Sequence, residues 1–338
     1  MPASTPPFRR DRRRALQAGV GAALAPMAWG LARAQGAWPA RPVTFIVPFP
    51  AGGGTDAFAR PLTTVMTRNL GKQVIIDNRG GAGGTVGAGA AARAAPDGYT
   101  FFMGAVHHAI APAMYPKLDY SIEGDFVPVG LISSVPQVVV INPQRVQANT
   151  LKEFLDLARK NPGKLNYASA GNGTSHHLAG ELFKLQTKTY ITHIPYRGAG
   201  PALQDLITGQ VDDMFDGLGS SAAHIKSGRI RALAAASQKR APGFPDLPTA
   251  SELGLTSYQV ATWYGLWAPK GTPKDAIGRL NAAAVEALDD PAVRKRLADL
   301  GQEIYPRDRQ TPEALGVFHK AEVEKWWPIV KAANIRVE

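Results

Sequence analysis

"VTFIVPFPAGGGTDAFARPL" occupies residues 43–62 and decides the fold. Its first five residues are β-branched and aromatic, the composition of a strand buried on both faces in a parallel sheet. Three glycines follow, and a helix-compatible stretch begins at Thr55, with Pro61 as its irregularity. The same order of strand, glycine loop and helix recurs downstream. "KQVIIDNR" carries a strand signal at residues 74–76, and "GGAGGTVGAGAAARAAPDG" then gives a glycine loop, an alanine helix and a stop at residues 96–98. "LNYASAGNGTSHHLAGELFKLQ" and "ITHIPYRGAGPALQDLITGQ" repeat the unit, and "TLKE" at residues 150–153 makes a capping box. Thr272-Pro273, Asp290-Pro291 and Thr311-Pro312 each offer an N-cap followed by a proline at the first helical position. Such alternation predicts the α/β class, with mostly parallel sheets flanked by helices.

The chain has 338 residues, 45% of them hydrophobic, which exceeds what one core usually organises (~250–300 residues) and predicts two lobes. Formal charge is +11, but Arg9, Arg10, Arg12, Arg13, Arg14 and Arg33 against Asp11 put much of it before residue 35. The charged "FRRDRRR", the Ala/Gly-rich apolar run to Leu31 and the small-x-small "ARA" read as an export signal spanning residues 1–34, cleaved after Ala34. "RRRAL" is compatible with the twin-arginine route as well as the general one. No later stretch reaches ~18 consecutive apolar residues. Zero cysteines exclude thiolate metal sites and cysteine nucleophiles. The basic residues are dispersed without interleaved aromatics, so nucleic acid is not an expected partner.

Glycine loops that open helices present unpaired N–H groups at the positive end of a dipole, and residues 52–55, 80–85, 171–175 and 198–200 all have this form. None carries the lysine of a P-loop. "GAGAAA" at residues 87–92 lacks the preceding strand and the following acidic residue of a dinucleotide fingerprint. A small carboxylate, held by N–H groups and hydroxyls such as Thr55, Thr85, Thr174 and Ser175, suits the loops better. His107-His108 and His176-His177 do not form a metal motif, no serine sits in Gly-x-Ser-x-Gly, and no cofactor, metal or catalytic residue is expected. Asp212 reads as a cap or surface charge. In "WYGLW", Trp263, Tyr264 and Trp267 are candidates for cleft or core, and "EKWWPIVKAA" for a helix packing its tryptophans on the first lobe.

"VPFPAGGGTD", "DNRGGAGGTVG", "YASAGNGTSHHLAGELFK", "IPYRGAGPALQDLITGQVDDMFD", "LPTASELG" and "WAPKGTP" resemble, in order and spacing, the solute receptors of tripartite tricarboxylate transporters, also called Bug-type receptors. The resemblance implies a two-lobed, class II periplasmic binding protein that closes over a small carboxylate and delivers it to membrane permease subunits. It places lobe I at residues 35–135 and 232–338, lobe II at 136–231, and hinge crossings at 134–138 and 229–234. The ligand would lie between two loops, residues 49–56 and 170–177. Phe49 would wall the pocket, with Gly53, Thr55, Gly173 and Thr174 offering donors and Asp56, Ala170, Ser175 and His177 completing the loops. Asp216 would face the ligand's far end, and Trp263 is the pocket aromatic by family position. His176 replaces the family's frequent serine and Asp213 its frequent valine, which bears on specificity. A dicarboxylate, amino acid, tricarboxylate or aromatic acid fits this donor set. A sensor feeding a membrane kinase uses the same pocket, and an exported carboxylate-processing enzyme is the alternative of another class.

Overall fold

The computed structural model describes Met1, residues 38–115 and residues 117–332. The expected export signal lies outside the described residues except for Met1. From Arg41 onward the described residues form one compact unit.

Strand β1 (Val43–Val47) leads through the glycine turn into helix α1 (Gly54–Leu70), which ends on Gly71 at φ +66°, a left-handed C-cap that glycine adopts without strain. Strand β2 (Val74–Asn78), helix α2 (Thr85–Ala92) and strand β3 (Thr100–Ala105) follow, and α3 (Val106–Met114) starts directly from β3. β1 lies between β2 and β3, parallel to both.

The 16-residue strand β4 (Phe126–Ile141) continues into α4 (Leu151–Lys160), where Thr150 accepts the Glu153 N–H and Glu153 accepts the Asn149 N–H. The capping box predicted from "TLKE" thus forms, its carboxylate reaching one residue further back than the cap. Then come β5 (Asn166–Ser169), α5 (Ser175–Thr187), β6 (Thr192–Pro195), α6 (Ala199–Thr208), β7 (Asp213–Gly217), α7 (Leu218–Lys226) and β8 (Arg231–Ala235). β5 lies parallel between β6 and β7. The chain finishes with β9 (Ala261–Pro269), α8 (Lys274–Asp289), α9 (Pro291–Asp299), β10 (Glu303–Ile304) and α10 (Pro312–Ala332).

The strand order is β2-β1-β3-β9-β4-β7-β5-β6, with β8 and β10 also paired to β4. Two parallel trios, β2-β1-β3 and β7-β5-β6, match the α/β class expected from the strand–loop–helix repeats. Joining them are antiparallel strands, which makes the whole sheet mixed. From Phe126 to Pro136, β4 pairs with β9; from Gln137 onward it pairs with β7, and from Val138 with β8 as well. β4 therefore changes partners within residues 134–138, where a hinge crossing was expected. At residues 229–234, where the return crossing was expected, the chain runs in the second group of strands. β8 still pairs with β4 at Val138 to Ile141, and the chain reaches β9 only at Ala261. The short apolar run there satisfies its backbone in the second group of strands before leaving it.

The late tryptophans pack as expected. Trp327 donates its indole N–H to the Ala109 carbonyl on α3 at 2.9 Å, while Trp263 and Trp326 both donate to Glu322 Oε2 at 2.8 Å. A buried carboxylate with two indole donors anchors α10 across β9, since each charge-assisted bond is worth about 1.5–3 kcal/mol.

Candidate ligand-binding site

The loop after β1 and the loop after β5 border one cavity of about 30 Å³. Phe49, Gly53, Gly54 and Thr55 line it from the first loop, and Ala170, Thr174, Ser175 and His176 from the second. His107, Ala199, Gly217, Gly219, Ser220, Thr262 and Tyr264 complete the wall. At roughly 10–15 Å³ per water-sized centre, this is space for a group the size of one carboxylate. A chamber of about 320 Å³ shares Phe49 and Ala170 with it and is otherwise lined by Gly81, Ala82, Gly83, Tyr115, Gly171, Asn172, Pro195, Tyr196 and Arg197.

The four glycine loops approach one another closely. A Cβ on Gly83 would fall 2.5 Å from the Asn172 carbonyl oxygen, and one on Gly198 2.8 Å from the Pro50 ring. Only residues without side chains permit backbones so near.

In the first loop Gly53 is the extended N-cap of α1 and supplies no side-chain cap, so the first-turn N–H groups have no partner within the helix. Asp56 braces this turn from behind. Its carboxylate accepts the Gly52 N–H at 2.9 Å, both Arg60 contacts at 2.8 Å and the Asn78 amide at 3.2 Å. Burial opposes its ionisation, but those donors together hold its pKa below the usual carboxylate range. Asn78 also donates to the Phe49 carbonyl, which sets Phe49 edge-on to His107 with ring centroids 4.7 Å apart.

In the second loop Thr174 is the N-cap of α5; its hydroxyl accepts the His177 N–H at 3.5 Å and donates to the Gly171 carbonyl at 2.7 Å. Ser175 joins Gln137 and Thr262 in a buried network, with Ser175 to Thr262 at 3.0 Å and Gln137 to Thr262 at 2.7 Å. Gln137 is the residue at which β4 changes partners, so this network ties the loop to the junction of the two strand groups.

Among the sequence-predicted residues, Phe49, Gly53, Thr55, Ala170, Thr174 and Ser175 meet at the cavity. Five do not line it. Asp56 spends its lone pairs on the turn itself. Gly173 turns toward Tyr115, with a built Cβ 2.8 Å from that ring, and its N–H goes to His177 Nδ1. His177 in turn stacks on His193 at 4.1 Å, and burial lowers its pKa to about 4. Trp263, 2% exposed, points to Glu322 on the opposite face of β9. Strand side chains alternate, so its neighbour Tyr264 faces the cavity instead, stacked on Phe58 and hydrogen-bonded to Thr55. Asp216 sits one layer behind the wall, fully buried, accepting from Ser220 and Ser221 at 2.6 Å each.

Wall residues that no local pattern singles out include His107, Ser220 and Thr262, which arrive from elements distant in the chain. Period-2 alternation along "TWYG" was the available signal for Tyr264. His107 Nε2, His176 Nδ1 and Asp216 Oδ1 are buried with no hydrogen-bond partner among the described residues. His176 Nε2 lies 3.5 Å from Asp216 Oδ1. Burial lowers the pKa of both rings, reinforced at His107 by His108 and His176 and opposed at His176 by Asp216.

A cavity walled by hydroxyls and by two helix N-termini has the chemistry a small anionic group needs, and the fold is that of periplasmic solute-binding proteins. The tripartite tricarboxylate transporter family receptor model matches residues 58–335, and the chain belongs to that family, in its Bug-type branch. The "UPF0065 protein in tcbD-tcbE intergenic region" of Pseudomonas sp. (strain P51) is 41% identical over 94% of each chain. The structure of the periplasmic binding protein BugD is 38% identical with TM-score 0.86, covering 89% of this chain and all of that one. MatC from Rhodopseudomonas palustris, solved with bound malate, is 39% identical with TM-score 0.82, covering 87% of this chain and all of that one.

Proposed function

We propose that the protein captures a small organic carboxylate in this cavity and delivers it to the permease subunits of a tripartite tricarboxylate-type transporter, without transforming it. The observation that carries the reading is the meeting of two glycine turns, from separate parallel trios, at one carboxylate-sized hollow. Backbone N–H groups and the hydroxyls of Thr55, Thr174 and Ser175 solvate the carboxylate where bulk water is excluded, which strengthens each bond. The remainder of the ligand extends past Phe49 and Ala170 into the larger chamber. Malate in the relative MatC supports a carboxylic acid of this size class.

In this reading the β2-β1-β3-β9 strands with α10 form one lobe and the β7-β5-β6 strands the other, hinged where β4 changes partners and after β8. Ligand favours the closed arrangement by the contacts it adds there. The chain works in the periplasm after removal of residues 1–34, as the charged and apolar pattern of its first residues implies.

A melting-shift screen of dicarboxylates, amino acids, tricarboxylates and aromatic acids tests this. The expected result is saturable stabilisation by at least one acid, about 2.7 kcal/mol at one hundred times its Kd, with the acid recovered unchanged. Turnover of the acid would assign an enzyme instead.

A further inference from the structure

We propose that His176 is the charge partner of the bound carboxylate and takes up one proton when the ligand enters, bridging the ligand and Asp216. The inference rests on the carboxylate-receptor reading and specifies how that site balances charge.

Among the described residues, no lysine or arginine lines the inner cavity; its ionisable wall is His107, His176 and Tyr264. A carboxylate placed there meets helix N-termini and hydroxyls but no fixed full cation. It also arrives next to the Asp216 carboxyl, whose Oδ1 has no hydrogen-bond partner among the described residues while Oδ2 takes both serines. Two carboxyl groups sharing a buried site disfavour one another unless a proton or cation stands between them.

His176 is the ring so placed. Its Nε2 is 3.5 Å from Asp216 Oδ1, the ring borders the cavity, and its Nδ1 is buried without a partner among the described residues. The groups facing it are Asp216 from β7, His107 from α3 and Tyr264 from β9; His108 lies behind His107 at 4.0 Å between ring centroids, and His224 on α7 senses Asp216. His107 is a poorer proton acceptor, because two other imidazoles surround it and no carboxyl does. Burial lowers the His176 pKa, with Asp216 opposing, and so favours the neutral ring without ligand. An entering carboxylate supplies the second negative neighbour, and the proton comes from solvent to a ring nitrogen, with no covalent bond made or broken. Serine at this position would donate a hydrogen bond but hold no charge, so the residue selects for fully ionised acids and makes their affinity depend on pH.

The test uses the mature full-length protein with malate, succinate and the acids returned by the melting screen. Calorimetry at pH 7 in buffers of different ionisation enthalpy is expected to give an uptake approaching one proton per ligand. Affinity should weaken toward tenfold per pH unit between pH 6.5 and 8.5, the slope of a single linked proton. His176→Ser should abolish both the uptake and the slope. Nitrogen-15 spectra of the ligand-free protein provide a readout that needs no variant: the His176 ring is expected neutral at pH 7 and cationic once ligand is added. A carboxylate that binds without proton uptake, a His176→Ser protein that keeps the slope, or a ring already cationic without ligand each overturns the linkage and leaves the receptor reading standing. Failure of every acid to bind between pH 5 and 8 overturns the receptor reading and the linkage with it.

Discussion

The turn before α1 and the turn before α5 begin from the same sequence device, a strand ending in glycines, yet they are stabilised in opposite ways. The first has no side-chain cap and relies on Asp56, 3% exposed, whose carboxylate gathers Gly52, Arg60 and Asn78 from behind. The second is capped by Thr174 and by the His177 ring that takes the Gly173 N–H. Its group of strands also buries an aspartate, Asp213, fully and with neither oxygen accepting a hydrogen bond among the described residues. Burial first, and then neighbouring Asp212, push the Asp213 carboxyl well above its ordinary range. Of two hidden acids, one is a structural keystone and the other destabilising, because donors decide what burial is worth.

That contrast can be broken most severely at Gly173. Gly173→Val puts a β-branched residue at φ +77° with its Cβ 2.8 Å from Tyr115, and should destabilise by about 3 kcal/mol from strain and overpacking together, with ligand affinity lost. Urea unfolding measures the first effect, and a wild-type unfolding midpoint would refute it.

Removing the keystone acid comes next. Asp56→Ala strands the Gly52 N–H and frees Arg60, whose side chain is 57% exposed, so its ion pair counts for little. The loss should be about 2 kcal/mol, chiefly from the charge-assisted hydrogen bonds that the buried carboxylate makes to Gly52 and Asn78, and ligand-induced melting shifts should shrink.

Asp213→Val should act with the opposite sign, gaining about 1–3 kcal/mol by deleting an unsatisfied buried group. The folded pKa lies above the unfolded value of 3.8, so the folded state binds more protons and wild-type stability falls as pH rises from about 4 toward the folded pKa. The variant's advantage at pH 8 should therefore exceed that at pH 5 in paired denaturation curves. An equal gap at both values would mean Asp213 is already ionised in the folded protein.

Thr174→Ala loses the second turn's cap, for about 1 kcal/mol and a several-fold weaker affinity. The smallest effect on binding belongs to Trp263→Phe: one donor to Glu322 disappears, stability drops by about 1 kcal/mol, and ligand affinity stays as in the wild type. A large affinity loss there would return Trp263 to the pocket.

The α/β repeats, the capping box, the glycine turns and six of the eleven candidate site residues were readable because each depends on neighbours within a few positions. Strand, turn and helix N-terminus are local events, so "FPAGGGTD" and "SAGNGTSHH" announce an anion-binding turn by themselves. What sequence could not reveal was which way the flanking side chains face. Asp56 and Asp216 carry the chemistry expected of ligand contacts, but partners 4 to 22 residues away turn them inward. Trp263 and Tyr264 were separated by strand alternation once β9 took its place in the sheet. His107, Ser220 and Thr262 reach the cavity only because β4 changes partners midway and draws two parallel trios together. Local covalent geometry and hydrogen bonding dictated the turns; the cavity between them exists only through packing over long stretches of chain, and packing alone determined which buried groups found partners there.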